Sequence, residues 1–219
     1  MDKQKNISQY QFCKTAESFE FYIRESDICL RTDEYIIVHL DGVDFTHKYY
    51  RQYNSEIKGR VVNAIAESAK EICSKISSIK IAYACSDEVT FILDGKDILS
   101  NNNNRLNKII SKFASMLTLK FYQNIATLHL KEIEELANNA IFSGKAYNLP
   151  ASKIEPYLKW RLMACKKLIF DRKEKYEEKK DWEKFGYLIC KYEKWESKCI
   201  DFEEKKIQRS PQNEFFRII

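Results

Sequence analysis

The order in which the apolar periodicity changes along the chain limits the possible folds more than any other feature of the sequence. Tyr35-Ile36-Ile37-Val38-His39-Leu40 is a short, β-branched, nearly unbroken apolar run, the pattern of a buried strand, and it passes straight into Asp41-Gly42. A strand there delivers a carboxylate at its end. From about Glu56 to Ile76 the period becomes helical, with Val61, Val62, Ile65, Ala69, Ile72 and Ile76 on one stripe. Alternation then returns twice, in Ile79, Ile81 and Tyr83 and in Val89, Phe91 and Leu93, on either side of Ser86-Asp87-Glu88. That arrangement predicts a β-hairpin with acids at its tip. Beyond the polar stretch from Ser100 to Asn104, which reads as a loop and helix cap, Leu106, Ile109, Ile110, Phe113, Leu117 and Phe121 share a helical face. Ala140 to Leu149 reads as a further strand stopped by Pro150, and Ile154 to Phe170 as a helix capped by Ser152.

The series β, α, β, β, α, β, α matches a split βαβ, ferredoxin-like layout of the α+β class, with helices packed on one face of a mainly antiparallel sheet. This is the palm architecture of many polymerases and nucleotidyl cyclases. Residues 1–150 form the palm-like domain in this reading, and residues 151–219 a helical extension that is a candidate RNA contact. Within the extension, Trp182, Phe185, Tyr187, Leu188, Tyr192 and Trp195 are expected on the packing side, with only Gly186 as an interruption.

A chain of 219 residues with 44% hydrophobic content is long enough for one core, or one core plus an appendage. Its 37 basic against 32 acidic residues leave a formal charge of +5, which suits a polyanionic partner without requiring one. Seven cysteines, an odd number with no C-x-x-C spacing, argue against a disulfide framework and a zinc site. Neither a signal core nor a membrane-length apolar run is visible, so a soluble, intracellular, cytoplasmic protein is expected, with an organellar destination left open. Serine or cysteine triads lack a nucleophile-elbow pattern, and no Gly-rich phosphate loop occurs.

In the expected topology Asp41 ends the first strand and Asp87 with Glu88 occupies the hairpin beside it, so three carboxylates converge. Hard oxygen ligands suit magnesium, and two ions would activate an attacking hydroxyl and stabilise a leaving pyrophosphate. Spacing alone leaves the ordinary reading open, because acids in turns and an Asp-Gly dipeptide need no metal.

The stretch Ile36-Ile37-Val38-His39-Leu40-Asp41-Gly42-Val43-Asp44-Phe45 resembles the first motif of the tRNA-histidine guanylyltransferase family. Ala82-Tyr83-Ala84-Cys85-Ser86-Asp87-Glu88-Val89-Thr90-Phe91 resembles its second, and Tyr157-Leu158-Lys159-Trp160-Arg161 its Tyr-Leu-x-Trp-Arg segment. The likeness runs over roughly residues 18 to 165. It implies a 3'-5' nucleotidyltransferase in which Asp41 and Asp87 hold two Mg2+ ions, the Gly42 carbonyl completes the coordination and Glu88 assists. By the same resemblance Arg105 and Lys108 match basic positions that contact the triphosphate, with a solvated helix start as the other reading, and His39, Ser86 and Lys145 are further candidates for it; Trp160 and Arg161 either touch RNA or hold their helix against the palm, and Lys166, on a basic face with Lys159, Lys167 and Arg172, is either an RNA-backbone contact or plain helix exterior. The implied substrates are ATP, GTP and the 5' end of a tRNA or other RNA: ATP activates a 5'-monophosphate, and the 3'-hydroxyl of GTP attacks the activated phosphate. A homotetramer is implied too, which light scattering on the 26.0 kDa chain reads directly.

The chain also departs from the pattern. His39 and Val43 stand where the family often has arginines, and Phe142-Ser143-Gly144-Lys145 replaces its Phe-Asp-x-Arg, keeping the charge but not the bidentate geometry. Lys166-Lys167-Leu168-Ile169 replaces a His-x-Asn-Asn element, so strict tRNA-histidine specificity does not carry over. Two rival readings stand beside the transferase: a palm-fold nucleotidyl cyclase or signalling-nucleotide synthase, and a non-catalytic RNA-binding relative.

Overall fold

The computed structural model describes residues 28–98, 105–129, 131–171, 175–209 and 216–218. Ser100 to Asn104 and the first residues of the family resemblance lie outside these. The elements in chain order are β1 (Tyr35–Gly42), α1 (Ser55–Lys75), β2 (Ile79–Cys85), β3 (Glu88–Asp94), α2 (Leu106–Ala126), α3 (Glu134–Asn139), β4 (Phe142–Leu149), α4 (Ile154–Asp171), α5 (Asp181–Phe185), β5 (Tyr187–Lys191), β6 (Trp195–Lys198), β7 (Ile207–Arg209) and β8 (Phe216–Ile218). Strands β4-β1-β3-β2-β5-β6 form one sheet in that order, with every pairing antiparallel, and β7-β8 form a separate ribbon. The first four strands with α1 and α2 as crossovers are the expected ferredoxin-like palm.

Alternation along β1 explains how the sheet acquires two different faces. Ile36, Val38 and Leu40 enter a large apolar core with α1 and α2, where Val62, Ile65, Phe113, Leu117 and Phe121 are buried. Tyr35 and Ile37 enter a smaller core on the other face, with Leu158 and Leu162 of α4. The third long helix therefore covers the face opposite the other two, rather than sharing theirs as the sequence led us to expect. His39 and Asp41 have the same parity as Ile37, so both belong to the α4 face.

Asn54 starts α1 by accepting the Ile57 N–H at 2.9 Å, the usual service of an N-cap asparagine. α4 starts differently from expectation: Pro150 opens a 3-10 turn over Ala151–Lys153, closed by Lys153 N–H to the Pro150 carbonyl at 2.9 Å, and the α-helix follows.

Beyond α4 the chain is only partly the helical extension that its composition led us to expect. α5 ends at Gly186, whose φ of +61° terminates the helix and is readily adopted by glycine. A β-carbon there would also lie 2.5 Å from the Ala84 carbonyl oxygen. β5 then pairs with β2, burying Ile189 in the larger core and Leu188 and Cys190 in the smaller. Trp182 and Phe185 are helical as expected; Tyr187, Leu188 and Trp195 are strand residues. Described cysteines are free thiols, and no helix among the described residues is long and apolar enough to cross a membrane.

Candidate active site

β1 and β3 run side by side with Asp41 directly opposite Glu88 and His39 opposite Thr90. Past the end of β1, the Gly42 N–H donates to the Asp87 carbonyl at 3.0 Å, so the strand end is tied to the hairpin tip. The chain leaves by a left-handed residue, Asp44 (φ 60°), into a single π-helical turn over Phe45–Tyr50; Ser86 in the hairpin is also left-handed (φ 55°). Such backbone costs roughly 1–3 kcal/mol per residue and concentrates at functional sites. Gly42 is required sterically: a β-carbon would come within 2.5 Å of the Phe45 ring. That ring is fully buried among Tyr49, Tyr50, Phe121 and Phe142, so it has no room to yield.

These elements leave a cleft of about 400 Å³ whose lining includes Asp41, Gly42, Ser86, Asp87, Glu88 and Leu168. Both predicted aspartates are thus in one place. Glu88 is there as well, but its carboxylate is engaged: Arg161 of α4 forms an ion pair with it, and His39 Nε2 lies 4.0 Å away. Asp41 and Asp87, the expected metal ligands, line the cleft, and Glu88, expected to assist, is held there by a guanidinium. Local desolvation pushes the Asp41 carboxyl above its usual range, against the opposing pull of Arg161, the Gly42 N–H and Lys145.

His39 is almost buried, and its Nδ1 is 2.9 Å from the Thr90 hydroxyl. Burial lowers its pKa to about 4, assisted by the positive charges of Arg161 and Lys145, so the imidazole is neutral at physiological pH. Lys145, opposite His39 on β4, is exposed beside it. Beneath the hairpin tip, Tyr50 is fully buried and stays a neutral phenol, first through burial and then through the neighbouring Asp87 charge.

Other expected residues go elsewhere. Arg105 caps the start of α2, bridged to Cys29, with Leu106 N–H bonded to the Ile28 carbonyl. From there α2 runs along the sheet until Phe121 packs on Phe45 and Phe142 near the acids. Arg105 and Lys108 therefore lie toward the opposite end of the sheet from Asp41, a separation on the order of the 20 Å length of an eight-residue strand. Lys166 is buried, with Nζ 2.8 Å from Asp201 and 2.6 Å from Glu203. Trp160, by contrast, is 57% exposed. Periodicity did not single out Thr90, which anchors His39, nor Thr46 and His47, which reach the cleft from the π-turn. Lys58 and Lys179 line a smaller adjoining cavity with Ser86. The one available signal was proximity in sequence to Asp41-Gly42, which covers Thr46 and His47 only.

Comparison with known proteins agrees with this geometry. The family described as tRNAHis guanylyltransferase matches residues 14–150, more than half of the chain. The tRNA(His) guanylyltransferase of Debaryomyces hansenii is 28% identical over 162 residues, covering 72% of this chain and 57% of that protein. A probable tRNA(His) guanylyltransferase of Dictyostelium discoideum is 30% identical over 160 residues, covering 70% and 56%. The chain thus spans a little over half the length of these curated relatives. Among solved structures, a bacterial tRNA(HIS) guanylyltransferase-like protein in complex with GTP superposes with a TM-score of 0.68 at 24% identity, over 85% of this chain and 91% of that one. The Saccharomyces cerevisiae tRNA(His) guanylyltransferase gives 0.59 at 19%, over 77% and 91%. These structural likenesses carry the palm fold, and the family match carries the relationship: this chain belongs to the tRNAHis guanylyltransferase family.

Proposed function

We propose that this protein is a magnesium-dependent 3'-5' nucleotidyltransferase that adds a nucleotide to the 5' end of a tRNA or tRNA-like RNA. One observation carries the reading: the register of β1 with β3 and the Gly42-to-Asp87 hydrogen bond bring Asp41 and Asp87 to one open cleft. The curated relatives are tRNA(His) guanylyltransferases, and the bacterial structural neighbours are complexes with GTP and with ATP. Both nucleotides are the substrates proposed here, with GTP as the one joined.

The donor set suits magnesium. Among the described residues no group of three or more His, Cys, Asp or Glu side chains is placed to hold a metal ion, so the three carboxylates do not by themselves make a metal site. Magnesium does not need a site made wholly of protein, since it commonly binds through one or two carboxylates plus water and substrate phosphates. Asp41, Asp87 and the Gly42 carbonyl would hold it, and because desolvation raises the Asp41 carboxyl, its charged form is one a divalent cation would favour. When bound, the metal supplies Lewis-acid stabilisation of phosphate charge and lowers the pKa of a nucleophilic hydroxyl. Glu88, fixed by Arg161, adds negative charge at a defined position. His39, neutral and held by Thr90, offers a hydrogen bond without a competing cation, and Lys145 supplies the positive charge beside it.

Purified protein is incubated with Mg2+, ATP, labelled GTP and tRNA that carries a 5'-monophosphate or lacks its first nucleotide, in parallel with Asp87→Ala. Label joined to the RNA 5' end by the wild type alone is the expected result. A small cyclic or oligomeric nucleotide made without RNA would replace the reading with the cyclase alternative.

A further inference from the structure

We infer that Trp160 is the stacking platform for the base of the RNA's 5'-terminal nucleotide; the inference rests on the 5'-end transferase reading. An exposed tryptophan is a costly surface feature, and its neighbours show that it is held in place. The Tyr147 and Tyr157 hydroxyls meet at 3.0 Å, and the Tyr157 ring lies 5.8 Å from the Trp160 ring. The Arg161 guanidinium sits over the indole, 5.2 Å from its centroid, while the same guanidinium grips Glu88. The indole is therefore separated from the acid centre by a single side chain.

Leu168 (43% exposed), about two turns further along α4, is part of the acid cleft lining. Lys145 and Lys167 are exposed alongside. A strip of helix surface that carries an exposed indole and cationic side chains close to a phosphate-transfer cleft has the chemistry of a nucleotide contact: an aromatic face for a base and positive charge for the backbone. With Arg161 against one face of the ring, a single face remains. That suits a terminal base, which also has one open face, better than a base inside a continuous stack. Because its tyrosine and arginine neighbours already restrain the ring, little side-chain entropy is lost on binding.

The test uses a 5'-monophosphorylated RNA stem-loop, intact or abasic at its first nucleotide, titrated without nucleotide against wild type, Trp160→Phe and Trp160→Ala. GTP is titrated separately and circular dichroism confirms folding. For intact RNA, Trp160→Ala should weaken binding on the order of ten- to a hundredfold, the worth of one base–aromatic stack, while Trp160→Phe retains most of the affinity. The abasic RNA should lose the same factor on wild type and nothing further on Trp160→Ala, with GTP affinity unchanged throughout. Equal affinity of Trp160→Ala and wild type for intact RNA would overturn the platform, as would independent losses from the two changes. A drop in particle mass in Trp160→Ala would also overturn it, making the strip a contact between copies of this chain. Failure of the wild type to bind either RNA would instead bring down the transferase reading itself, and the platform with it.

Discussion

The two faces of the central sheet are built from the same strands and do different work. Toward α1 and α2, β1 presents Ile36, Val38 and Leu40 to an apolar core that reaches from Leu30 to Ile189. Toward α4 it presents Tyr35, Ile37, His39 and Asp41, which pass from apolar to ionisable within one strand. The first face is closed and holds the fold together. The second closes only at its lower end; at the upper end Arg161 reaches down from α4 and the acid cleft opens. Catalytic carboxylates near a core are tolerable when they sit where packing stops, because a charge deeper in would have to be neutralised or paired.

Four measurements would break or sharpen this contrast. The largest effect is expected from Asp41→Ala and Asp87→Ala, which should each reduce nucleotide transfer by on the order of 10³-fold or more while leaving the melting temperature nearly unchanged. Undiminished turnover in either variant would remove the acid centre from the α4 face. Phe121→Ala, on the closed face, should do the reverse. It should cost about 3–5 kcal/mol of stability in denaturant titration, because the cavity cannot collapse among Phe45, Phe142 and their neighbours, while the folded fraction keeps its activity.

The third prediction concerns pH. His39 is neutral in the fold, with its pKa lowered from 6.5 to about 4 chiefly by burial. Stability owed to this group is complete above its unfolded value and disappears as pH falls from 6.5 toward 4, amounting to roughly 3 kcal/mol. Thermal melts of the metal-free protein should show this loss, and His39→Gln should flatten it. An unchanged pH profile in the variant would place the acid sensitivity elsewhere. The smallest effect is expected for Arg105→Ala, which should leave nucleotide affinity within about twofold, since a surface charge about 20 Å away lies well beyond the Debye length. A large loss of GTP affinity would mean that the far end of one subunit serves the cleft of another.

Much of this was legible from local pattern. The alternation and helical periods located β1 to β4 and the long helices, and Asp-Gly after a buried strand marked the acid centre. The C-terminal strands were not legible. Tyr187-Leu188-Ile189-Cys190 follows a helical turn and a lysine-glutamate run, so its short apolar stretch reads as one side of a continuing helix until Gly186 reverses the backbone. Lys166 and Arg161 lie one helical turn and a half apart, and sequence reasoning assigned both to RNA. In the fold each meets carboxylates that no sequence window brings near it, Lys166 those of Asp201 and Glu203, Arg161 that of Glu88.

The sequence by itself determined the first four strands and the long helices, the carboxylates that end β1 and cap the hairpin, and the family. Neighbouring residues set those features, through side-chain periodicity and turn chemistry. Only the tertiary structure decided which end of the sheet a basic helix start occupies, which face α4 covers, that Glu88 is held by Arg161 and that Trp160 is left exposed. Each of these follows from strand register and crossover geometry, which join residues far apart in the chain and are invisible to any window along it.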